Sequence, residues 1–508
     1  MCSSDLPAEF ARVAVRHGTV ATVSDPHEIA NVLGEAGIEF MWDNAARACL
    51  PIHFGVPSCV PATDFETAGD RLDAAAVARL LGQNRHRYLS EMMNWPGVLH
   101  GDPEVTAKIA AAHRLGKPVD GHAPGLRGED AARYAAAGIS TDHECSTLDE
   151  ARDKAAAGMW ILIREGSAAR NLEALWPILR ERPAQVMFST DDAHPDDLLR
   201  GHLDRVVARC VAHGVDVFDV LRAACVHPVE HYGLDVGLLR AGDPADFILV
   251  DDLIDFRVRR TWIKGRLVAR DGACLVPAPE PIPEPLPNRF RTASFTPEDF
   301  RIPAGPGAAP VRVRVIDAED GELVTGESTA TLAPVDGGLE PDPTQDVLLI
   351  AVCNRYRETP PATAFIRGFG LRRGAIAGSV AHDSHQVIAV GADRDSLARA
   401  VNAIFESRGG LVAVDDDRIE RLPLPIAGLM SDRPAEEVGK GYETLSTIAR
   451  DLGSPLRAPF MTLSFMALLV IPSLKLGDRG LFDGTTFRFV PVRVGGDGRS
   501  KTGPARDT

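Results

Sequence analysis

Short apolar runs alternate with helical segments through the first half of this chain, and four of the runs end in a residue able to bind a metal. They are Ser90-Glu91-Met92-Met93, Asp120-Gly121-His122-Ala123, Thr141-Asp142-His143-Glu144 and Ser189-Thr190-Asp191-Asp192. The alternation predicts α/β architecture with parallel strands. Donor residues at the C-terminal ends of successive strands predict a (β/α) barrel whose site gathers at one mouth. Strands are expected at 19–24, 52–59, 88–92, 118–122, 140–143, 160–164 and 185–190. Helices are expected at 8–17, 72–81, 103–115, 130–137, 148–156 and 168–180, the one at 72–81 capped by Asp70 or Asp73. The count is seven strands, where a closed barrel of this class has eight.

Each donor has an ordinary structural use when taken alone. Glu91 can pair with an arginine, His143 can be held by a neighbouring acid, and Asp192 can cap a following segment. Four separate explanations of that kind would have to fall at the same end of successive strands, so a metal centre is the simpler account. An oxygen- and nitrogen-rich set suits Mn, Fe or Zn activating water. In this reading the imidazoles of His122 and His143 hold one metal and a carboxylate bridges toward a second. A water on such a metal has a pKa of about 7, against about 15.7 in bulk. Asp191 then takes its proton and passes it to a leaving nitrogen.

Other polar groups compete for roles near the mouth. The stretch Ser24-Asp25-Pro26-His27-Glu28 reads as a loop whose Asp25, His27 and Glu28 bind substrate, or in which Asp25 caps a turn. In the run that follows another strand, Gly166 and Ser167 leave backbone open to a flat ligand and Arg164 and Glu165 offer side chains to its edge, although Ser167 also suits a helix N-cap. In the second half, His382-Asp383-Ser384-His385 is a dense polar cluster in apolar surroundings. It fits a domain interface or a support for the barrel mouth better than a second metal site. His227 and His231 read as packing residues.

Composition narrows the partners. With 55 Lys and Arg against 71 Asp and Glu, the 508 residues carry a formal charge of −16, which opposes binding to nucleic acid or anionic membranes. Eight cysteines without a C-x-x-C pair point to a reducing cytoplasm, with neither a disulfide framework nor a thiolate zinc site. The apolar stretch 465–474 contains Pro472 and is too short to span a bilayer; it reads as a buried strand or helix. The expected organisation is a barrel over 7–235, a small β-domain segment over 236–276, a Pro-rich linker over 277–288 and an α+β domain over 289–508. The last dozen residues read as frayed.

Longer motifs resemble bacterial adenine deaminases of the amidohydrolase superfamily. They are D-P-H-E-I-A-N-V-L-G-E-A-G from Asp25, S-E-M-M-N-W-P-G-V from Ser90, D-G-H-A-P-G from Asp120 and I-R-E-G-S-A-A-R-N-L from Ile163. S-T-D-D from Ser189, H-D-S-H from His382 and L-P-L-P-I-A-G-L-M-S from Leu422 complete the set. The resemblance implies hydrolysis of adenine to hypoxanthine and ammonia at a binuclear Mn or Fe site (Zn being possible), in a homo-oligomeric protein. It implies Glu91 as the bridging carboxylate, His122 and His143 as ligands, and Asp191 as the eighth-strand aspartate. The region after Leu422 is similar to the family's own C-terminal domain.

The pattern departs from the family at one place. Its first strand carries an H-x-H pair, and no two histidines here are separated by a single residue. The expectation is therefore a chain that begins after the first barrel strand, with Met1 to Leu6 foreign to the family. One metal then lacks two nitrogens, strand edges stay unpaired, and metal retention and turnover are weak. Alternatives are a relative acting on another amino-purine or a cyclic amide, or a non-catalytic remnant. The H-x-E and P-C-x-x-C deaminase signature and the G-x-S-x-G elbow are both missing.

Overall fold

The computed structural model describes residues 5–495 except 168 and 308. The expected fraying of the last dozen residues, and most of Met1 to Leu6, lies outside the described residues.

Seven short strands line the first half: β1 (Thr22–Ser24), β2 (Ile52–Phe54), β3 (Leu89–Met92), β4 (Val119–Gly121), β5 (Thr141–Asp142), β6 (Trp160–Arg164) and β7 (Val186–Ser189). They run parallel. β1 pairs with β2, a bridge from Val56 to Leu89 joins β2 to β3, and β3 pairs with β4. The Ser140 amide donates to Val119 O, and β5, β6 and β7 continue the order. Among the described residues no ladder joins β1 to β7. Instead, Ala21 to Ser24 and Met187 to Thr190 face one another across a cavity of about 230 Å³.

Side chains along the strands divide as a barrel requires, because successive residues point to opposite faces. Ile161, Ile163, Val186 and Phe188 pack outward against Leu172, Leu175, Leu179 and Val206 of the surrounding helices. Leu162 and Met187 point inward, beside Tyr88 and Tyr232. The helix Ala74–Leu81 starts where Asp73 accepts from the Ala76 amide at 2.8 Å. The segment expected as one helix over 168–180 is instead two, Leu172–Leu175 and Pro177–Glu181, because Pro177 offers no amide to continue the first. Two helices were not anticipated, His27–Leu33 and Glu35–Ala45.

A four-stranded antiparallel sheet occupies 247–274, followed by a stretch without regular structure to about 296. An eight-stranded sheet follows, whose centre is the pair Leu348–Cys353 and Val387–Gly391. Both strands are apolar at every position because both faces are covered. Leu349, Ala351, Val387 and Ala389 pack with the helix Arg394–Ser407. Leu348, Ile350, Val352, Ile388 and Val390 join the core shared with the barrel side and the helix Ala435–Asp451. The apolar stretch 465–474 resolves into the end of the helix Pro459–Phe465, a turn, and the start of the strand Leu474–Gly477. No helix among the described residues is long and apolar enough to cross a membrane.

Lys475, on that strand, is fully buried and donates to Leu323 O (2.6 Å) and Phe465 O (3.1 Å). Burial lowers its pKa to about 7. A lysine depressed in the folded state destabilises folding below that value. The penalty fades as pH rises from about 7 toward the unfolded value of about 10.4. Chemical denaturation of wild type and Lys475→Met across this window should show the wild type gaining stability relative to the variant as pH rises. A constant difference between them would contradict the assignment.

Candidate metal centre at the barrel mouth

Glu91, His122 and His143 come from three adjacent strand ends and meet at one point. His122 Nδ1 lies 2.9 Å and His143 Nε2 3.2 Å from the same oxygen, Glu91 Oε2. The two rings stand edge to face with centroids 5.4 Å apart. One donor atom from each of the three residues falls within 4.8 Å of the others. Gly121 makes this approach possible, since a Cβ there would lie 2.3 Å from Thr141 O on the next strand. The His122 amide donates to Tyr134 Oη, which in turn donates to Met92 O, so the strand end is tied down from behind.

The electrostatics favour a cation. Burial alone would raise the Glu91 carboxyl, but hydrogen bonds from His122 and His143 and the charges of His143 and His27 hold it well below its usual value. His122 Nε2 is buried without a hydrogen-bond partner. The donor chemistry a divalent ion requires is met instead by His122 Nδ1 and His143 Nε2 beside the ionised Glu91 carboxylate. Glu144 Oε1 stands 3.5 Å from His122 Nδ1 and 3.4 Å from His143 Nε2. Its carboxylate pairs with Arg164, whose Nη1 also donates to Asp191 Oδ2 at 2.7 Å. Burial would lower the pKa of Arg164, yet Glu144 and Asp191 raise it overall, so the guanidinium stays charged between two acids.

The Asp25–Glu28 stretch is only partly the loop that was expected. Asp25 is in the loop and accepts from the His27 amide (3.0 Å), whereas His27 and Glu28 open the helix His27–Leu33. His27 Nδ1 lies 3.0 Å from Asp25 Oδ2 and 3.3 Å from Glu91 Oε1, with Nε2 3.4 Å from Glu28 Oε1. Glu28 then reaches the second half of the chain. Its Oε1 is 2.7 Å from His382 Nδ1, and its Oε2 contacts His385 Nε2. His382 Nε2 stands 3.7 Å from Asp192 Oδ2, and the His382 ring stacks on Phe465 at 4.6 Å. Asp383, also buried, brings a carboxylate oxygen within 4.8 Å of donor atoms of His27 and Glu28. The H-D-S-H cluster thus lies against the mouth. Leu323, His382, Phe465 and Leu468 line the space above the metal-type cluster.

Two candidates point elsewhere. Glu165 accepts from the Leu172 amide (2.9 Å) and pairs with Arg209, so its carboxylate serves the outer helices rather than a ligand. Ser167 caps no helix. Its hydroxyl donates to Asp197 (2.7 Å) and accepts from the His194 amide (2.8 Å), bracing the loop after β7. His227 and His231 pack on Trp160. Sequence reasoning passed over Glu144, Asp192 and Asp120 as participants. Burial and the neighbouring Asp191 push Asp192 up to about 7, and burial brings Asp120 to about 7 beneath the hydroxyls of Tyr232 and Thr141. Glu144 adjoins His143, so strand alternation would have turned it away; the loop begins one residue earlier and turns both inward.

Comparison with known proteins is consistent with this geometry. The amidohydrolase family matches residues 2–268, and the adenine deaminase C-terminal domain matches residues 322–488. The adenine deaminase of Salinibacter ruber is 57% identical over 95% of this chain and 88% of its own length. Those of Methanosarcina barkeri (51%, covering 97% and 90%) and Sulfurovum sp. (52%, covering 95% and 88%) are similar over the same extent. A parallel α/β barrel with an acid–imidazole cluster at its mouth is the arrangement of a metal-dependent hydrolase, and the chain belongs to the amidohydrolase family. Within that family it groups with the adenine deaminases.

Glu28 joins two halves of the chain through buried groups, so removing its charge takes the ionised partner from His385 and one acid from His382. Breaking one partner of a buried pair costs about 3–5 kcal/mol. Glu28→Gln should lower stability by about 3 kcal/mol in denaturant titration and speed hydrogen exchange in residues 379–386. Wild-type exchange in that segment would show that the contact carries no energy.

Proposed function

We propose that this chain hydrolyses adenine to hypoxanthine and ammonia at the mouth of the barrel. The observation that carries the reading is 57% identity to an adenine deaminase over 95% of the chain, and the convergence of Glu91, His122 and His143 supports it. These three residues would hold a divalent cation, with Mn2+ or Fe2+ favoured and Zn2+ compatible with the same donors. When bound, that ion would supply Lewis-acid activation of water.

The remaining chemistry falls to the chain's own groups. Asp191 follows β7, lines the mouth, and accepts from Arg164 at its Oδ2. It would accept the proton of the attacking water and return it to the departing amine, in the general base and acid roles. His27 and Asp25 lie on the other side of Glu91 and would meet a polar edge of the purine. The apolar roof of Leu323, Phe465 and Leu468 would exclude bulk water and present a flat face to the ring.

A second reading concerns extent rather than kind. No H-x-H pair is present to supply two nitrogens to a second metal position, so weak metal retention and reduced turnover are expected. Metal analysis after dialysis against Mn2+ should find about one ion per chain, whereas the full binuclear site of a two-metal hydrolase would hold two.

The activity is tested by following adenine loss in the ultraviolet together with ammonia release, for wild type and Asp191→Asn. Wild type should act on adenine and be silenced by a chelator. The variant should keep its metal and lose about 10²–10⁴-fold in kcat, the range for removal of a positioned acid–base group. Turnover of other amino-purines or cyclic amides with adenine untouched would overturn the substrate assignment.

A further inference from the structure

Behind the donor-bearing ends of β4 and β5 lies a charged cluster with no part in the reaction as described. Lys154, on the helix Leu148–Ala156, and Asp142, the last residue of β5, are fully shielded from solvent, and Glu150 is nearly so. Lys154 Nζ lies 2.9 Å from Asp142 Oδ1 and 2.8 Å from Glu150 Oε1, and donates to Ala123 O at 2.6 Å. Both acids are used again. Asp142 Oδ2 accepts from the Ala123 amide (3.0 Å) and Oδ1 from the Glu144 amide (2.9 Å). Glu150 accepts from the amides of Gly125 (2.8 Å) and Ser146 (3.2 Å). Asp142, Glu150 and Cys145 lie close enough to ligate an ion, but the Lys154 ammonium already stands against both carboxylates.

The connectivity is specific. Ala123 directly follows His122, and both its amide and its carbonyl end on this cluster. Glu144 directly follows His143, and its amide ends on the same Asp142. Three buried charges are a poor device for stability alone, since apolar residues of similar volume are often as good or better. Apolar side chains cannot, however, accept four backbone amides and donate to a carbonyl. The cluster trades desolvation for directional bonds at the two places where donor orientation matters.

We propose that Lys154, Asp142 and Glu150 act as a brace that sets the spacing and orientation of His122 and His143, making them positioning residues for the cation site. This rests on the reading that those imidazoles hold a metal. Outer groups that orient metal-binding histidines alter affinity by about 10–100-fold, and here the brace acts through the backbone on both imidazoles at once.

The test is Mn2+ titration of the metal-stripped full-length chain, by calorimetry and by the electron paramagnetic resonance signal of the bound ion. The chains are wild type, Asp142→Asn/Lys154→Met, Lys154→Arg and the control Glu91→Gln, each checked for wild-type circular dichroism. The double variant leaves the net charge of the cluster unchanged while removing its central link. It should bind Mn2+ at least about 10-fold more weakly, with an altered resonance signal at unchanged secondary structure. Affinity within about twofold of wild type, while Glu91→Gln has lost the ion, would overturn the brace alone. Wild-type affinity in Glu91→Gln would overturn the metal assignment beneath it. If the double variant does not fold, Lys154→Arg decides: it keeps the charge but not the geometry at Ala123 O. A weakened and altered Mn2+ site supports the brace, and an unchanged one refutes it.

Discussion

One carboxylate organises the mouth of this barrel. Glu91 receives His122 and His143 on one oxygen and His27 on the other, so three strand ends are bound to a single anionic point. Desolvation of that charge is unfavourable unless it is compensated, and only the surrounding imidazoles or a cation can do so. The fold meets the demand by bringing β3, β4 and β5 close, which Gly121 permits by lacking a Cβ. From that constraint follow the ring orientations and the second layer of acids and bases around Glu144 and Arg164.

The second half of the chain takes part in the same electrostatic system. Glu28 begins a helix on the barrel, and the histidines it meets lie on the loop after a C-terminal strand, His385 being 357 positions away. A central sheet buried on both faces makes that loop rigid enough to present its side chains. Leu349 and Ala351 face one core while Leu348, Ile350 and Val352 face the other. The stacking of His382 on Phe465 then connects the histidine loop to the roof above the site. Roof and cluster are consequently one construction, made from segments remote along the chain.

Much of this was legible beforehand, and the reason is local. Strand positions appear in the sequence because apolar runs bounded by helices with Asp or Thr caps carry a strong periodic signal; Asp73 and Thr147 are examples. The donors Glu91, His122, His143 and Asp191 stood out because each sits at a strand end. The helices His27–Leu33 and Glu35–Ala45 were missed because polar residues near Pro26 resemble a turn. Glu165 and Ser167 take different partners from Arg164 because neighbours in sequence need not share a direction once the chain leaves a strand. Glu165 turns outward to Arg209 while Arg164, one residue earlier, turns inward to Asp191.

What the amino-acid order determined alone is the rhythm of strands and helices and the chemical kind of each strand-end side chain, since both depend on spacing within a few residues. Tertiary structure decided which of those side chains meet. It put Glu144 and Arg164 beside the imidazoles, joined Glu28 to His382 and His385, and buried Lys154 between two acids. Such pairings depend on how helices and sheets pack across hundreds of intervening residues. The free energy that selects them, burial set against the need to partner every buried charge, is a property of the assembled core and of no single segment.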